Sequence, residues 1–261
     1  MLAGRHPTGI YRSDAAAAPS SDERQPRSAL LELLVGYVSM VVVLLVIGGL
    51  LTRVLDGSVG RWDLSVNRWF VSHRDATGNA VSGGVTFALD TFPVIAVALI
   101  AIAFFSWRRR FRAAWVIGVG LVLEITVFLS VTFVVARPRP DVARLSSTPM
   151  TSSFPSGHAA AAVVLYGGIA LGVHCCTRRP MIRAAFWIFA ALAVLAVAVS
   201  RVYRGMHHPT DVAIGALFGA ACLWFAWRAV QRYFGPMRVS QQEIAHPAVV
   251  HRPSIASEVT T

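Results

Sequence analysis

The chain has 261 residues, of which 55% are hydrophobic and 14% are charged, and its mean hydropathy is +0.58. This composition excludes an ordinary soluble domain and predicts an integral membrane protein. The net charge is +11, and all 24 basic residues are arginines. They are scattered between apolar runs instead of forming one basic segment, which argues against a nucleic-acid partner.

The polar stretch over residues 1–28 predicts a disordered cytoplasmic tail, and residues 233–261 predict a second one. Between them, residues 29–232 form the predicted membrane domain, an all-α bundle of six transmembrane helices. Each predicted span is a mainly apolar run long enough for a helix to cross about 30 Å of hydrocarbon. The six spans are Ala29–Leu51, Val85–Ser106, Ala113–Ala136, Gly157–Cys176, Ala184–Ser200 and Val212–Val230.

The arginines also predict how the bundle is oriented. Fifteen of the 24 flank the spans on the side that carries both termini, and nine lie on the other side. Cytoplasmic segments collect basic residues, so the sequence predicts a multi-pass plasma-membrane protein with both termini in the cytoplasm.

A short amphipathic helix is predicted in the outer loop between spans 1 and 2. Trp62, Val66, Trp69 and Phe70 recur at the spacing of one helix face. Such a helix would either lie at the membrane interface and support a lipid entry path, or pack against the bundle.

Three polar clusters fall at the predicted outer ends of the spans, where the bundle can bring them together. Arginine forks match phosphate oxygens, and the start of a helix adds free backbone N–H donors, so the clusters predict a phosphate site. They are Arg137-Pro138-Arg139-Pro140 after span 3, Pro155-Ser156-Gly157-His158 at span 4, and Ser200-Arg201 with His207 and Asp211 between spans 5 and 6.

Two histidines in these clusters can supply the chemistry. A neutral imidazole can attack phosphorus, and a protonated one can give a proton to a leaving alkoxide, which are the expected roles for His207 and His158. Asp211, four residues after His207, is expected to fix that imidazole's tautomer. No Asp/Glu cluster suited to Mg²⁺ occurs on this side, and the three cysteines lie in or beside apolar stretches, so we expect no metal or cofactor.

In order and spacing, the three clusters resemble the motifs of the type 2 phosphatidic acid phosphatase (PAP2) family, over roughly residues 60–230. The resemblance implies a six-helix bundle that hydrolyses membrane lipid phosphates through a phosphohistidine at the outer face. It implies that His207 is the nucleophile, Asp211 its partner, and His158 the general acid and later the base. It assigns phosphate binding to Arg139, Ser156, Gly157 and Arg201.

One position departs from the family pattern. The family's first motif has a lysine seven residues before the second arginine of the Arg-Pro-Arg-Pro run, and here that position is Thr132. Taking Arg137 as the aligned arginine instead puts Ser130 there, so neither register gives a cation. Thr132 can donate one hydrogen bond to the phosphate but carries no charge. Three alternatives follow: Arg137 or Arg204 compensates, activity is reduced, or the protein only binds or transports lipid phosphates.

Glu124 lies in the middle of predicted span 3. An ionisable residue there is a functional hypothesis by default, so it either serves a proton path or a lipid headgroup, or is protonated or bonded to a neighbouring helix. The resemblance implies a polyprenyl diphosphate, phosphatidylglycerophosphate or phosphatidate as substrate, without ranking them, and leaves the oligomeric state open.

Overall fold

The computed structural model describes residues 21–88, 90–147 and 150–235, and this part of the chain is helical without any strand. Within these described ranges eight α-helices follow one another, with a short π-helical turn at Asp56–Gly60 between the first two. The helices are α1 (Ser21–Arg53), α2 (Arg61–Ser72), α3 (Ala76–Ala88), α4 (Thr91–Trp107), α5 (Phe111–Val135), α6 (Gly157–Cys176), α7 (Pro180–Tyr203) and α8 (Pro209–Phe234).

Five helices, α1 and α5 to α8, are each long and apolar enough to cross a membrane. The predicted second span, Val85–Ser106, falls on a bent pair of helices. Two helices, α3 and α4, meet there at an angle of 50°, and they make a sixth span only if the bent pair counts as one. The break has a local cause, since the Asp90 side chain accepts a hydrogen bond from the Thr91 N–H (2.8 Å) and caps α4.

The outer helices extend beyond their predicted ends. Helix α1 begins at Ser21, within the predicted N-terminal tail, and α8 continues to Phe234. The rest of both predicted tails, residues 1–20 and 236–261, lies outside the described residues.

Helices α5, α6 and α8 form the centre of the bundle, and α1 packs along α5 and α8. Two glycines one turn apart on α8 allow α6 to approach closely. A Cβ on Gly215 would lie 2.5 Å from the carbonyl oxygen of Ser156, and one on Gly219 would collide with the carbonyl of Ala160. Small residues at this spacing let helix backbones pack tightly, and they fix the start of α6 against α8.

Helix α2 forms at the predicted outer loop, but its buried face differs from the predicted one. Val66 and Phe70 pack on α6, α7 and α8, whereas Trp62 and Trp69 are more than half exposed. The same buried face carries the fully buried polar residues Asp63 and Asn67. Of the two arrangements expected for α2, the structure shows the one in which the helix packs against the bundle.

Candidate active site

A cavity of about 680 Å³ runs between α4, α5 and α6. Its polar end collects five of the predicted site residues, while its remaining wall is mainly apolar. The five are Arg139, Gly157, His158, Arg201 and His207. Helix topology explains the convergence, because the end of α7 and the starts of α6 and α8 all lie at this end of the bundle.

The imidazole of His207 is held in one tautomer. Its Nδ1 lies 2.7 Å from the backbone carbonyl oxygen of Ser153. A carbonyl only accepts hydrogen bonds, so Nδ1 carries the proton and Nε2 keeps its lone pair. The amide of Asn67 secures the backbone beside it, donating to the carbonyls of His207 (3.1 Å) and Val202 (3.3 Å).

The His207 ring is buried beside two positive charges. Burial is the largest cause that lowers its pKa, and the charge of Arg201 and then that of Arg139 add to it. Together these effects hold the pKa of His207 well below its usual range. The ring is therefore neutral near pH 7, as a nitrogen nucleophile must be.

His158 stands at the first turn of α6, on the wall of the same cavity. Its Nε2 lies 3.6 Å from Oδ1 of Asp90, the residue that caps α4. The His158 side chain is 27% exposed, so it is accessible from the cavity while lying beside a carboxylate. These properties suit a group that gives and takes protons.

Two arginines face the cavity without an acidic partner among the described residues. Arg139 is held by backbone carbonyls, donating to Met206 (2.5 Å), Thr151 and Ser152 (3.2 Å each). Arg201 is 5% exposed, and no hydrogen-bond or ion-pair partner for its side chain occurs in the described ranges. Two such guanidinium groups beside a helix N-terminus suit a phosphate group.

The start of α6 adds backbone donors at the same place. Gly157 lines the cavity, and the first N–H groups of a helix have no intrahelical partners. Ser156 is fully buried before it, its N–H donates to the Asp211 carbonyl (3.1 Å), and its hydroxyl has no partner among the described residues. Ser156 therefore anchors this turn, while Gly157 faces the cavity.

The predicted bond between Asp211 and His207 is wrong in this structure. The Asp211 carboxylate accepts hydrogen bonds from the Ser153 hydroxyl (2.5 Å) and from the His208 N–H (2.9 Å), and it pairs with Arg137. Asp211 lies in the first turn of α8, where its carboxylate reaches these groups and forms a capping box with His208. The backbone carbonyl of Ser153 takes the place that the sequence assigns to this carboxylate.

Thr132, Arg137 and Arg204 do not line the cavity. Thr132 is fully buried and accepts a hydrogen bond from the Ser152 N–H (3.1 Å). Arg204 donates to the hydroxyl of Ser146 (2.8 Å) and to a loop carbonyl. Neither Arg137 nor Arg204 therefore lines the cavity in this structure, and compensation for the missing lysine by one of them stays a prediction.

Arg137 belongs to a buried network behind the cavity. It contacts Asp63 (2.8 Å) and Asp211, and Asp63 also accepts hydrogen bonds from the N–H (3.0 Å) and hydroxyl (2.6 Å) of Thr210. Burial alone would lower the pKa of Arg137, but the two carboxylates more than offset this and raise it. The network ties α2 to the start of α8.

Sequence reasoning missed Asp63 and Asn67, which position the site from α2. A signal was present, because the two polar residues are four apart and share a helix face with Val66 and Phe70. No group of three His, Cys, Asp or Glu side chains suited to a metal occurs among residues 21–88, 90–147 and 150–235.

Comparisons with known proteins agree with this architecture. Residues 113–234 match the model of the PAP2 superfamily. A decaprenylphosphoryl-5-phosphoribose phosphatase of Mycobacterium tuberculosis is 33% identical over 117 residues, 43% of this chain and 58% of that protein. An undecaprenyl-diphosphatase of Sulfolobus acidocaldarius is 30% identical over 142 residues, 51% of this chain and 63% of that protein. The chain thus matches about three fifths of the length of these relatives.

Among solved structures, the chain resembles a transmembrane PAP2-type phosphatidylglycerolphosphate phosphatase from Bacillus subtilis. The TM-score is 0.60 at 23% identity, over 77% of this chain and 94% of that one, so the likeness is one of fold. The match to the PAP2 superfamily thus covers the segment from α5 to α8, and the likeness to the solved structure shows a shared helical fold over most of the chain.

Proposed function

We propose that this protein is an integral membrane phosphatase that hydrolyses a lipid phosphate or diphosphate. The observation that carries the proposal is Arg201, which is buried at the cavity and has no ion-pair or hydrogen-bond partner for its side chain among the described residues. A buried guanidinium is costly without an anion to complete it. The apolar wall of the cavity fits the hydrocarbon of a lipid, and the relatives named for polyprenyl lipids support this substrate class.

The geometry supports a two-step reaction through a phosphohistidine. Nε2 of His207 attacks phosphorus, the bond from phosphorus to the leaving oxygen breaks, and His158 gives that oxygen a proton. Water then attacks the phosphohistidine, His158 takes a proton from the water, and the P–N bond breaks to release inorganic phosphate. Arg139 and Arg201 stabilise the charge on the phosphoryl oxygens in both steps.

We place the protein in the plasma membrane, with both termini in the cytoplasm and the active site at the outer face. The arginine distribution supports this orientation. The loops at the bundle end opposite the polar end of the cavity carry Arg108, Arg109, Arg110, Arg178 and Arg179. The reaction needs no metal ion in this proposal, since imidazoles and guanidinium groups fill every role.

Phosphate release by the purified protein tests the proposal. The substrates are a polyprenyl diphosphate, phosphatidylglycerophosphate and phosphatidate, each assayed with EDTA present. We expect release from at least one lipid, and a loss of at least about 1,000-fold in His207→Ala, because the nucleophile is gone. Labelled substrate quenched in alkali should leave phosphate on the wild-type protein but not on this variant.

Other outcomes would contradict the proposal. Equal release by the wild-type protein and His207→Ala would defeat the assigned mechanism, and loss of release in EDTA would defeat metal independence. Tight lipid binding with no release would favour the alternative, a PAP2-like lipid-phosphate binder or transporter, to which the absence of a lysine at Thr132 points.

A further inference from the structure

We propose that Glu124 forms a second polar subsite, which binds a hydroxyl group on the segment joining the scissile phosphate to the hydrocarbon of the lipid. The inference rests on the proposed function and names the class of lipid that the site accepts. Glu124 lies on α5, is 4% exposed and lines the cavity that also holds His158 and Arg201. In the described ranges, its carboxyl group has no hydrogen-bond or ion-pair partner.

The place of Glu124 along α5 sets its depth in the cavity. A Cβ on Gly157 would lie 3.2 Å from the ring of Phe128, so these two residues are level with each other. Glu124 precedes Phe128 by four residues, which is about one turn, or 5.4 Å, further into the bundle. A phosphate bound at the start of α6 therefore has the next few atoms of the lipid beside Glu124.

The chemistry of a lone carboxyl group selects the ligand. Glu124 shares the cavity wall with apolar residues such as Leu121, Ile125 and Ala98, and an unpaired ionisable group is costly in such a setting. A hydroxyl can donate to a carboxyl group in either of its protonation states, whereas an ester carbonyl needs the protonated one. Glu124 belongs to no group of three metal-ligating side chains within the described part of the chain.

A lipid whose hydrocarbon starts directly at the phosphate would leave this carboxyl group unpaired. A lipid whose phosphate sits on a glycerol or sugar carrying a free hydroxyl would satisfy it. The geometry therefore favours lipids with a hydroxylated linker over simple polyprenyl or diacylglycerol phosphates.

A matched pair of lipids tests the subsite. Phosphatidylglycerophosphate carries a free hydroxyl next to the scissile phosphate, and its 2-deoxyglycerol analogue lacks only that group. For the hydroxylated lipid we expect Glu124→Leu to lower kcat/KM by about tenfold or more, mainly through KM, because one buried hydrogen bond is lost. For the deoxy lipid the change should stay below about twofold.

Two further variants separate the hydrogen bond from damage to α5. Glu124→Gln keeps a polar amide of similar shape and should recover part of the loss. Thr126→Val removes a hydroxyl two residues away whose partners, within the described part of the chain, are carbonyls of its own helix, and it should leave kcat/KM unchanged for both lipids. An equal loss for both lipids in Glu124→Leu and Glu124→Gln would overturn the inference.

Binding measurements distinguish this inference from the proposed function. If the wild-type protein hydrolyses neither lipid, the proposed function fails for this class of lipid. Quenching of tryptophan fluorescence then compares affinities, and the subsite predicts about tenfold tighter binding of the hydroxylated lipid by the wild-type protein only. Equal affinities in the wild-type protein would overturn the subsite itself.

Discussion

The imidazole of His207 depends on its surroundings for two properties, its tautomer and its charge. The backbone carbonyl of Ser153 fixes the tautomer, and burial beside two arginines keeps the ring neutral. Asp211 acts on His207 indirectly, because its carboxylate accepts a hydrogen bond from the hydroxyl of the same Ser153. The carboxylate also pairs with Arg137. Asp211 is thus a positioning residue in this structure, and its loss would disturb the buried network as well as the nucleophile.

The lowered pKa of His207 predicts the acid limb of the pH profile. In the proposed mechanism the neutral ring is the reactive form, so kcat/KM should fall only as the pH drops through this pKa, well below the ordinary value of 6.5. Arg201→Gln removes the second-largest cause of the lowering, so the limb should move up towards 6.5 while the maximum falls. Substrate ionisation is the same for both proteins, so a limb in the same place in both would contradict the prediction.

At the level of helices, apolar length predicted α1 and α5 to α8, since burying a span in hydrocarbon dominates their sequence pattern. The cap that Asp90 forms at the start of α4 divides the second predicted span into two helices. A hydropathy pattern does not contain this local signal. The pairing of Asp63 with Arg137 was equally hidden, because 74 residues separate them and only the docking of α2 brings them together. The three motifs predicted the cavity residues but not the network behind them.

The close approach of α6 and α8 predicts the effect of one added methyl group. Gly215→Ala places a Cβ against the Ser156 carbonyl, so the start of α6 must shift. We expect a stability loss of about 1–3 kcal/mol, seen as a lower temperature of thermal inactivation, and reduced phosphate release. Gly49→Ala on α1 is the control, because nothing lies within 4 Å of its added Cβ. Equal stability of the two variants would argue against the tight packing.

Across the whole molecule, two groups of arginines contribute to the +11 net charge and fit different functions. The arginines at the bundle end opposite the cavity fit orientation in the membrane, whereas Arg139 and Arg201 at the cavity fit an anion. Apart from Thr91 and Glu124, the wall of the cavity along α4 and α5 is apolar. A phosphate site at one end of an apolar cavity matches the shape of an amphipathic lipid, with its charge at one end and its chain along the helices.

The orientation can be tested with single cysteines in a variant whose three native cysteines are replaced by alanine. Ser147→Cys lies in the exposed loop at the cavity end, and Met181→Cys lies at the exposed start of α7 at the opposite end. A membrane-impermeant maleimide should label Ser147→Cys in intact cells and Met181→Cys only after the membrane is opened, because the proposed orientation puts the arginine-rich loops in the cytoplasm. The reverse pattern would place the active site on the cytoplasmic side, whereas phosphate release by both variants would confirm that they keep the native fold.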